Sequence, residues 1–305
     1  MHKPLPFVSI CLLTYKRAKA LPKTLDSLLV QTHANFELII NDDNSPDDTE
    51  QVGKLYEQRD SRVHYFRNKT NLRYAGNQNA AIDRAQSEFV AIVHDGDIYR
   101  EDLIEKWIGM LVDNPSAALV FNALEAMDLS GKTVAVNRNP FPPLIPGRQL
   151  LENMLRRPDS PIFGIVMLRK SCVQAVGQFD LTLPTLADVD MWMRLLGRFD
   201  VAYIDEPLLK AAARELEHHN RRGNWAVRAE YEKIYQLNLG RSAPGTNPTK
   251  LAFRQHVWRM LWWQRIWWLA GCVKSLQFRS FLAGVVFCFR YRSVLKVAQP
   301  KRIKQ

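Results

Sequence analysis

Carboxylate pairs follow or adjoin apolar segments at three places along the chain, where like charges stand unusually close together. The three pairs are Asp42 with Asp43, Asp95 with Asp97, and Asp188 with Asp190. Turn formation or helix capping is one interpretation of each pair, because Asp favours both kinds of position. A binding or catalytic role is the other interpretation, and the chemistry differs from pair to pair.

Asp95 and Asp97 flank Gly96 directly after the apolar run "FVAIV". Proteins hold Mg²⁺ through one or two carboxylates, with water and substrate phosphates completing the shell, and similar oxygen ligands suit Mn²⁺. Such a cation offsets the repulsion between two carboxylates, and a glycine lets the backbone approach a phosphate closely. The pair is a candidate site for a metal-bound diphosphate, with helix capping as the alternative.

The other two pairs suggest different chemistry. An Asp after the second apolar segment, "FELII", is an acceptor for the paired donors of a nucleotide base or ribose. Asp188 and Asp190 open the segment "DVDMWMRLLG", where acidic residues interact favourably with a helix dipole. The alternative for that pair is a general base at the mouth of a site.

Segments of strand and helix type alternate from Phe7 to Phe121. This alternation predicts an α/β fold with a mostly parallel central sheet and flanking helices. Ligands in such folds bind beyond the carboxyl ends of the strands, so "TYKR", "NDDNS", "TNLRYAGNQN" and "HDGD" are the expected site segments. Residues 137–147, with four prolines, are expected to form a linker or an extended crossing before a less regular second half.

Basic residues are concentrated near the carboxyl-terminal end. The formal net charge is +11, and residues 250–305 hold 12 of the 42 Lys and Arg residues, none of the 31 acidic residues and five of the eight Trp residues. The longest uncharged stretch there, Ser280 to Phe289, is shorter than the roughly 20 residues that a membrane-spanning helix needs. Trp with Arg favours attachment to an anionic membrane surface. Packing of a helical pair on the catalytic domain is the alternative.

Four widely spaced cysteines, without a CxxC pair, predict unpaired thiols in a reducing compartment. The first 17 residues are not expected to form a signal peptide, because their apolar run is short and no cleavage site follows it. The expected location is therefore the cytoplasm, peripheral on the cytoplasmic face of a membrane.

Six segments together resemble, in order and spacing, the inverting glycosyltransferases of family 2, which have the GT-A fold. They are "VSICLLTYKR", "LIINDDNSPDDT", "NLRYAGNQNAAI", "AIVHDGDIYREDLIEKW", "GIVMLRKSCVQAVGQFD" and "ADVDMWMRLLG…VAYIDEPL". The resemblance implies a Rossmann-like GT-A domain that transfers a sugar from a nucleotide diphosphate. A UDP-sugar is the expected donor and a dTDP-sugar the second choice. The implied acceptor is a hydroxyl of a lipid-linked saccharide, a glycolipid or a surface polysaccharide.

The resemblance also assigns roles to individual residues. The implied nucleotide-binding residues are Thr14, Tyr15, Arg17, Asp43, Asn79 and Asp95, with Asp42 as a second candidate beside Asp43. The implied ligands of Mg²⁺ or Mn²⁺ are Asp97, expected to bind directly, then Asp95 and His219 or its neighbour His218. Asp188 corresponds to the catalytic base.

Three positions depart from the family pattern. Ala187 stands where the family often has Glu before the base, and Gln78 stands where it usually has Arg. Arg73 replaces a usual Gly, which could restore a cation near the phosphates. These departures leave the donor sugar open.

The expected organisation is a glycosyltransferase domain at residues 1–215, a connecting segment at 216–249 and the basic, Trp-rich tail at 250–305. Within the domain, the nucleotide-sugar half covers about residues 1–127 and the acceptor half about 148–215. The main alternative function is a non-enzymatic basic protein that binds nucleotide or nucleic acid on a degenerate fold. A nucleotidyltransferase is a third interpretation, but no glycine-rich basic loop follows the first strand. We expect no nucleic-acid partner.

Overall fold

A ten-stranded sheet forms the centre of the structure, a computed structural model that describes residues 4–156, 160–212 and 225–242 together with Arg259, Trp262 and Ile266. The strands are β1 (Val8–Thr14), β2 (Phe36–Asp42), β3 (Val63–Arg67), β4 (Phe89–His94), β5 (Ile98–Tyr99), β6 (Ala117–Met127), β7 (Thr133–Asn137), β8 (Leu144–Ile145), β9 (Val166–Arg169) and β10 (Asp200–Ala211). The described helices are α1 (Leu21–Leu29), α2 (Thr49–Arg59), α3 (Arg73–Arg84), α4 (Leu103–Asp113), α5 (Gly147–Arg156), α6 (Lys170–Val176), α7 (Ala187–Leu196) and α8 (Trp225–Ser242).

The sheet has the strand order β3-β2-β1-β4-β9-β6-β10-β5, with β7 paired to β6 and β8 paired to β10. The first four strands of this order pair in parallel, as do β6 and β10. Strand β9 lies between β4 and β6 and is antiparallel to both. The predicted α/β GT-A fold, with a central sheet and flanking helices, is confirmed, and the antiparallel pairs lie beyond β4.

Burial explains the apolar character of the first strands. Every residue of β1, β2 and β4 is buried, because helices cover both faces of the parallel half of the sheet. The core on one face includes Leu25 of α1 and Trp107 of α4, both fully buried. The Trp107 indole N–H donates to Asn122 Oδ1 at 3.0 Å, so this large side chain is buried without an orphaned donor.

The proline-rich segment before α5 is an extended crossing rather than a linker. Phe141 makes edge-to-face contacts with Phe121 and Tyr203, with ring centroids 6.3 and 5.7 Å apart. Strand β8 lies within the same segment and pairs with β10. The segment is therefore packed against the sheet, which the prolines alone did not reveal.

The chain divides into two compact units, residues 1–215 and 216–305. The sheet lies in the first unit, and α8 of the second falls within the predicted connecting segment. Within the described residues, no helix is both long enough and apolar enough to cross a membrane. Apart from Arg259, Trp262 and Ile266, the predicted tail at 250–305 lies outside the described residues.

Candidate active site

The loop after β1 brings the first group of predicted residues together. The carbonyl oxygen of Thr14 accepts from the Asp43 N–H at 3.0 Å. The Tyr15 N–H donates to Asp95 Oδ2 at 3.2 Å, and Arg17 Nε lies 3.6 Å from Asp95 Oδ1. Residues from three separate loops therefore meet at the carboxyl ends of β1, β2 and β4, where the sequence predicted a site.

These loops also hold their backbone in a conformation that side chains disfavour. Among the described residues, the non-glycine residues with positive φ are Lys16 (56°), Asn44 (61°) and Arg73 (62°). Lys16 and Asn44 lie in loops around the site, and Arg73 is the first residue of α3. Strain of this kind persists because surrounding contacts fix it. Arg73 is exposed, and no described residue pairs with its guanidinium group.

Hydrogen bonds from the second loop stiffen the first. The Ala18 N–H donates to Asp47 Oδ2 at 3.3 Å, and the Thr49 hydroxyl donates to Asp47 Oδ1 at 2.6 Å. Burial opposes ionisation of Asp47, but these hydrogen bonds outweigh it and lower the pKa of the carboxyl group. The charged carboxylate is therefore the form that ties the two loops together.

Asp42 uses both carboxylate oxygens within the protein. Its Oδ1 accepts from the Ser45 N–H at 2.9 Å and the Ser45 hydroxyl at 2.5 Å, and its Oδ2 accepts from the Tyr65 hydroxyl at 2.6 Å. Burial, then the hydrogen bond to Asp42, raises the pKa of Tyr65, so this hydroxyl remains a donor. Asp42 is fully buried and maintains the loop.

Asp43 presents a different arrangement. Its Oδ1 accepts from Asn68 Nδ2 at 3.0 Å and from the Leu72 N–H at 2.7 Å. No described residue donates to its Oδ2. The Arg84 guanidinium holds Asn68 in turn, with both terminal nitrogens within 3.2 Å of Asn68 Oδ1. Asp43 is thus oriented through its Oδ1, and its Oδ2 remains available.

The turn between β4 and β5 carries the Asp95–Gly96–Asp97 motif. Gly96 has a φ of +84°, which a side chain would strain. The buried Thr24 hydroxyl accepts from the Gly96 N–H at 3.0 Å and donates to the Asp97 carbonyl oxygen at 2.8 Å. No feature of the sequence pointed to Thr24, because a threonine within an amphipathic helix gives no signal of such a role.

The two acidic residues of this turn differ in exposure. Asp95 is partly exposed, whereas Asp97 is fully buried and its Oδ1 accepts from the Ala212 N–H at 2.8 Å. Across the described part of the chain, no cluster of three or more His, Cys, Asp or Glu could hold a metal ion. Two carboxylates beside a backbone turn nonetheless fit a Mg²⁺ or Mn²⁺ ion that takes its remaining ligands from phosphate and water. His218 and His219 lie outside the described residues.

Asp188 and Asp190 have different surroundings although both lie in the first turn of α7. Asp188 is partly buried, and its Oδ1 accepts from the Val189 N–H at 2.8 Å. Asp190 is buried and pairs with Arg194, with Nε 2.7 Å from Oδ2. Asp190 therefore stabilises the structure, and Asp188 stays the candidate base. Ala187 is fully buried at the start of the helix.

Asn79 and Gln78 do not lie open to a nucleotide. Asn79 Nδ2 donates to the Phe179 carbonyl oxygen at 3.0 Å, and its Oδ1 accepts from the Phe179 N–H at 2.9 Å. Both ends of the Asn79 amide therefore bind backbone, and the expected nucleotide contact of Asn79 stays a prediction. Gln78 is fully buried, and no described residue pairs with its amide.

Comparisons with known proteins identify the family of the chain. The model of the family described as "Glycosyl transferase family 2" matches residues 9–171. An uncharacterised glycosyltransferase of Methanocaldococcus jannaschii is 26% identical over 240 residues, which is 77% of this chain and 78% of the relative. A GalNAc(5)-diNAcBac-PP-undecaprenol beta-1,3-glucosyltransferase of Campylobacter jejuni is 35% identical over 94 residues, 30% of each protein.

A solved structure shows the same fold. S. aureus TarS 1–349 in complex with UDP-GlcNAc superposes with a TM-score of 0.63 at 17% sequence identity. The superposition covers 81% of this chain and 70% of the TarS chain.

Proposed function

The chain belongs to glycosyl transferase family 2 and is a glycosyltransferase, and we propose that it transfers a sugar from UDP to an acceptor hydroxyl with inversion. The proposal for the donor rests on the orientation of Asp43, whose Oδ2 is left for a ligand while Oδ1 is held by Asn68 and Leu72. A uracil N3–H is a donor that matches this oxygen. The UDP-GlcNAc complex of TarS supports the same class of donor.

The loop after β1 supplies the remaining nucleotide contacts in this proposal. Tyr15 is 40% exposed, so its ring can pack against the flat face of a nucleobase. The Arg17 guanidinium is half-exposed beside Asp95 and provides a positive charge for the diphosphate. Thymine carries the same N3–H as uracil, so a dTDP-sugar remains the second choice.

Asp95 and Asp97 would hold the divalent cation, with the turn between them fixed by Thr24. Such a cation, when bound, stabilises the negative charge that develops on a departing nucleoside diphosphate. The protein's own contribution is to hold two carboxylates within one short turn.

Asp188 acts as the general base in this proposal. It takes the proton of the acceptor hydroxyl while the hydroxyl oxygen attacks the anomeric carbon. The bond from that carbon to the diphosphate oxygen breaks, and UDP leaves from the opposite face of the sugar. One displacement of this kind inverts the anomeric centre and needs no covalent sugar–enzyme intermediate.

The acceptor side of the proposal is a lipid-linked saccharide or glycolipid at the cytoplasmic face of a membrane. The name of the Campylobacter jejuni relative specifies an undecaprenol-linked saccharide, which supports this acceptor class. The described tail residues Arg259, Trp262 and Ile266 are helical and exposed. A cation, an indole and an aliphatic group that are exposed suit an anionic membrane surface.

The alternatives from the sequence have lost support. A non-enzymatic nucleic-acid binder does not explain a family match that spans the loops of the site. A nucleotidyltransferase is disfavoured for the same reason.

Ligand-dependent stability tests the proposed donor. Melting temperatures are measured with UDP, dTDP and GDP, each with and without Mn²⁺. A ligand at about 100 times its dissociation constant adds roughly 2.7 kcal/mol. We expect a metal-dependent increase with UDP, a smaller one with dTDP, and little with GDP. Folded protein that responds to none of the three would contradict the proposal.

Vesicle binding tests the proposed membrane contact. The full chain should co-sediment with phosphatidylglycerol vesicles and much less with phosphatidylcholine vesicles, and added salt should weaken the binding. Replacing both Trp262 and Ile266 by Ser should reduce binding to phosphatidylglycerol vesicles below that of wild type. Equal binding to both vesicle types, or no binding, would contradict membrane attachment.

A further inference from the structure

We propose that Asn79 is a positioning residue for the general base Asp188 rather than a ligand of the nucleotide. This inference rests on the proposed role of Asp188 as the base. Asn79 lies in the middle of α3, and its amide makes two hydrogen bonds to the backbone of Phe179, which is 100 residues away in sequence. Phe179 lies in the segment between α6 and α7, and α7 carries Asp188.

Arg194 of α7 holds the same segment from the other side. Its Nη1 donates to the carbonyl oxygens of Val176 at 2.9 Å and Gly177 at 2.6 Å, and its Nη2 donates to the carbonyl oxygen of Gln178 at 2.9 Å. Together with Asn79, Arg194 therefore binds four consecutive carbonyl groups, at positions 176–179. We call these four residues the clamped turn.

The clamped turn connects α3 to α7 by several independent contacts. The Arg194 guanidinium is itself fixed by the buried Asp190, two residues after Asp188. The Phe179 ring packs edge-on against Trp192 of α7, with centroids 6.0 Å apart. The two hydrogen bonds between Asn79 and Phe179 are buried, whereas those from Arg194 to the turn are partly buried. A shift of α7 relative to α3 would therefore break the Asn79 hydrogen bonds at a place where solvent does not replace them.

The start of α3 lies beside Asp43, the carboxylate proposed to bind the nucleobase. The N–H of Leu72, directly before the helix, donates to Asp43 Oδ1. Asn79 is six residues into the helix from Arg73, or about 9 Å along its axis. One rigid helix thus orients Asp43 at its start and holds the clamped turn at its centre. The contact of Asn79 sets the position of α7, and with it the position of Asp188.

The test compares Asn79→Ala and Asn79→Asp with wild type. Asn79→Ala removes both hydrogen bonds to the Phe179 backbone. Asn79→Asp keeps an oxygen that accepts from the Phe179 N–H but places a carboxylate oxygen against the Phe179 carbonyl oxygen. Asp83→Ala is the matched control, because Asp83 is exposed one turn further along α3 and accepts from the Gln178 side chain at 2.8 Å. That variant removes a contact between the same two segments but leaves the backbone contacts intact.

Three measurements are made on each full-length variant. The first is the affinity for UDP with Mn²⁺, by calorimetry. The second is the turnover of UDP-GlcNAc and UDP-glucose by water. In this reaction Asp188 takes a proton from water while the water oxygen forms a bond to the anomeric carbon, the bond from that carbon to the diphosphate oxygen breaks, and free sugar and UDP are released. The third is hydrogen exchange of the amides at 187–190.

Both Asn79 variants should lose at least tenfold in turnover number while the UDP dissociation constant changes less than threefold. Exchange at 187–190 should be faster in both, and Asp83→Ala should match wild type. A loss of UDP affinity in step with turnover would make Asn79 a nucleotide ligand, and unchanged exchange at 187–190 would equally overturn the inference. If wild type neither binds UDP nor turns over a donor, the proposed function fails, and the exchange measurement still decides whether Asn79 positions α7.

Discussion

Replacing Asp43 by Asn should weaken recognition of the nucleobase strongly without unfolding the protein. The substitution preserves the shape of the side chain and retains an oxygen to accept from Asn68 and the Leu72 N–H. The group that replaces Oδ2 is an amide NH₂, which is a donor. A donor at this position faces the uracil N3–H, so an attractive contact becomes a repulsive one.

The size of the effect follows from the type of contact that is lost. A hydrogen bond to a charged group contributes about 1.5–3 kcal/mol. At 1.4 kcal/mol per tenfold change, the UDP dissociation constant should rise about 10- to 150-fold. The two hydrogen bonds to Oδ1 become weaker but persist, so the cost in stability should be about 1 kcal/mol, or a melting temperature lower by roughly 2–4 °C.

Calorimetric titration with UDP in the presence of Mn²⁺ measures this change, and Asp42→Asn is the matched control. Asp42 is adjacent and chemically identical, but it holds Ser45 and Tyr65 instead of a ligand. The control should lose stability while its UDP affinity stays within about threefold of wild type. Wild-type affinity in Asp43→Asn, or an equal loss in both variants, would refute the assignment of Asp43.

Three further perturbations have distinct expected outcomes. Asp97→Ala should remove the Mn²⁺-dependent part of the UDP thermal shift, and an unchanged metal response would exclude Asp97 as a ligand. Asp188→Asn should abolish sugar transfer and donor hydrolysis while the UDP dissociation constant stays within about threefold of wild type. Equal losses of activity and UDP affinity would count against Asp188 as the general base. Burial, then a hydrogen bond to Asp26, raises the pKa of Tyr56 to about 12. Because an unfolded tyrosine titrates near pH 10, this stabilisation is complete below pH 10 and lost as the pH rises through 12. Between pH 10 and 12, the melting temperature of Tyr56→Phe should therefore decline less steeply than that of wild type. Identical slopes would contradict the raised pKa of Tyr56.

The amino-acid sequence by itself determined the first half of the fold and the edge of the sheet at which the candidate site residues meet. Strands β1, β2 and β4 are buried on both faces, so each is a short continuous apolar run that is recognisable without partners. Parallel strands place their carboxyl ends at one edge of the sheet. The loops that hold Tyr15, Asp43 and Asp95 were therefore expected to meet, and they do.

Tertiary structure alone decided the roles of neighbours that look alike in sequence. Asp42 and Asp43 are adjacent carboxylates that differ in their partners. Ser45 and Tyr65 donate to both oxygens of Asp42, whereas Asn68 and the Leu72 N–H donate to one oxygen of Asp43. The family resemblance suggested a nucleotide contact for Asn79, whereas its partner is Phe179, far along the chain. Local patterns report which face of an element is buried, but the partner of a buried polar group depends on the segment packed against it. The segment that holds Phe179 follows β9 and α6 along the chain, so its place beside α3 depends on the position of β9 between β4 and β6 in the sheet.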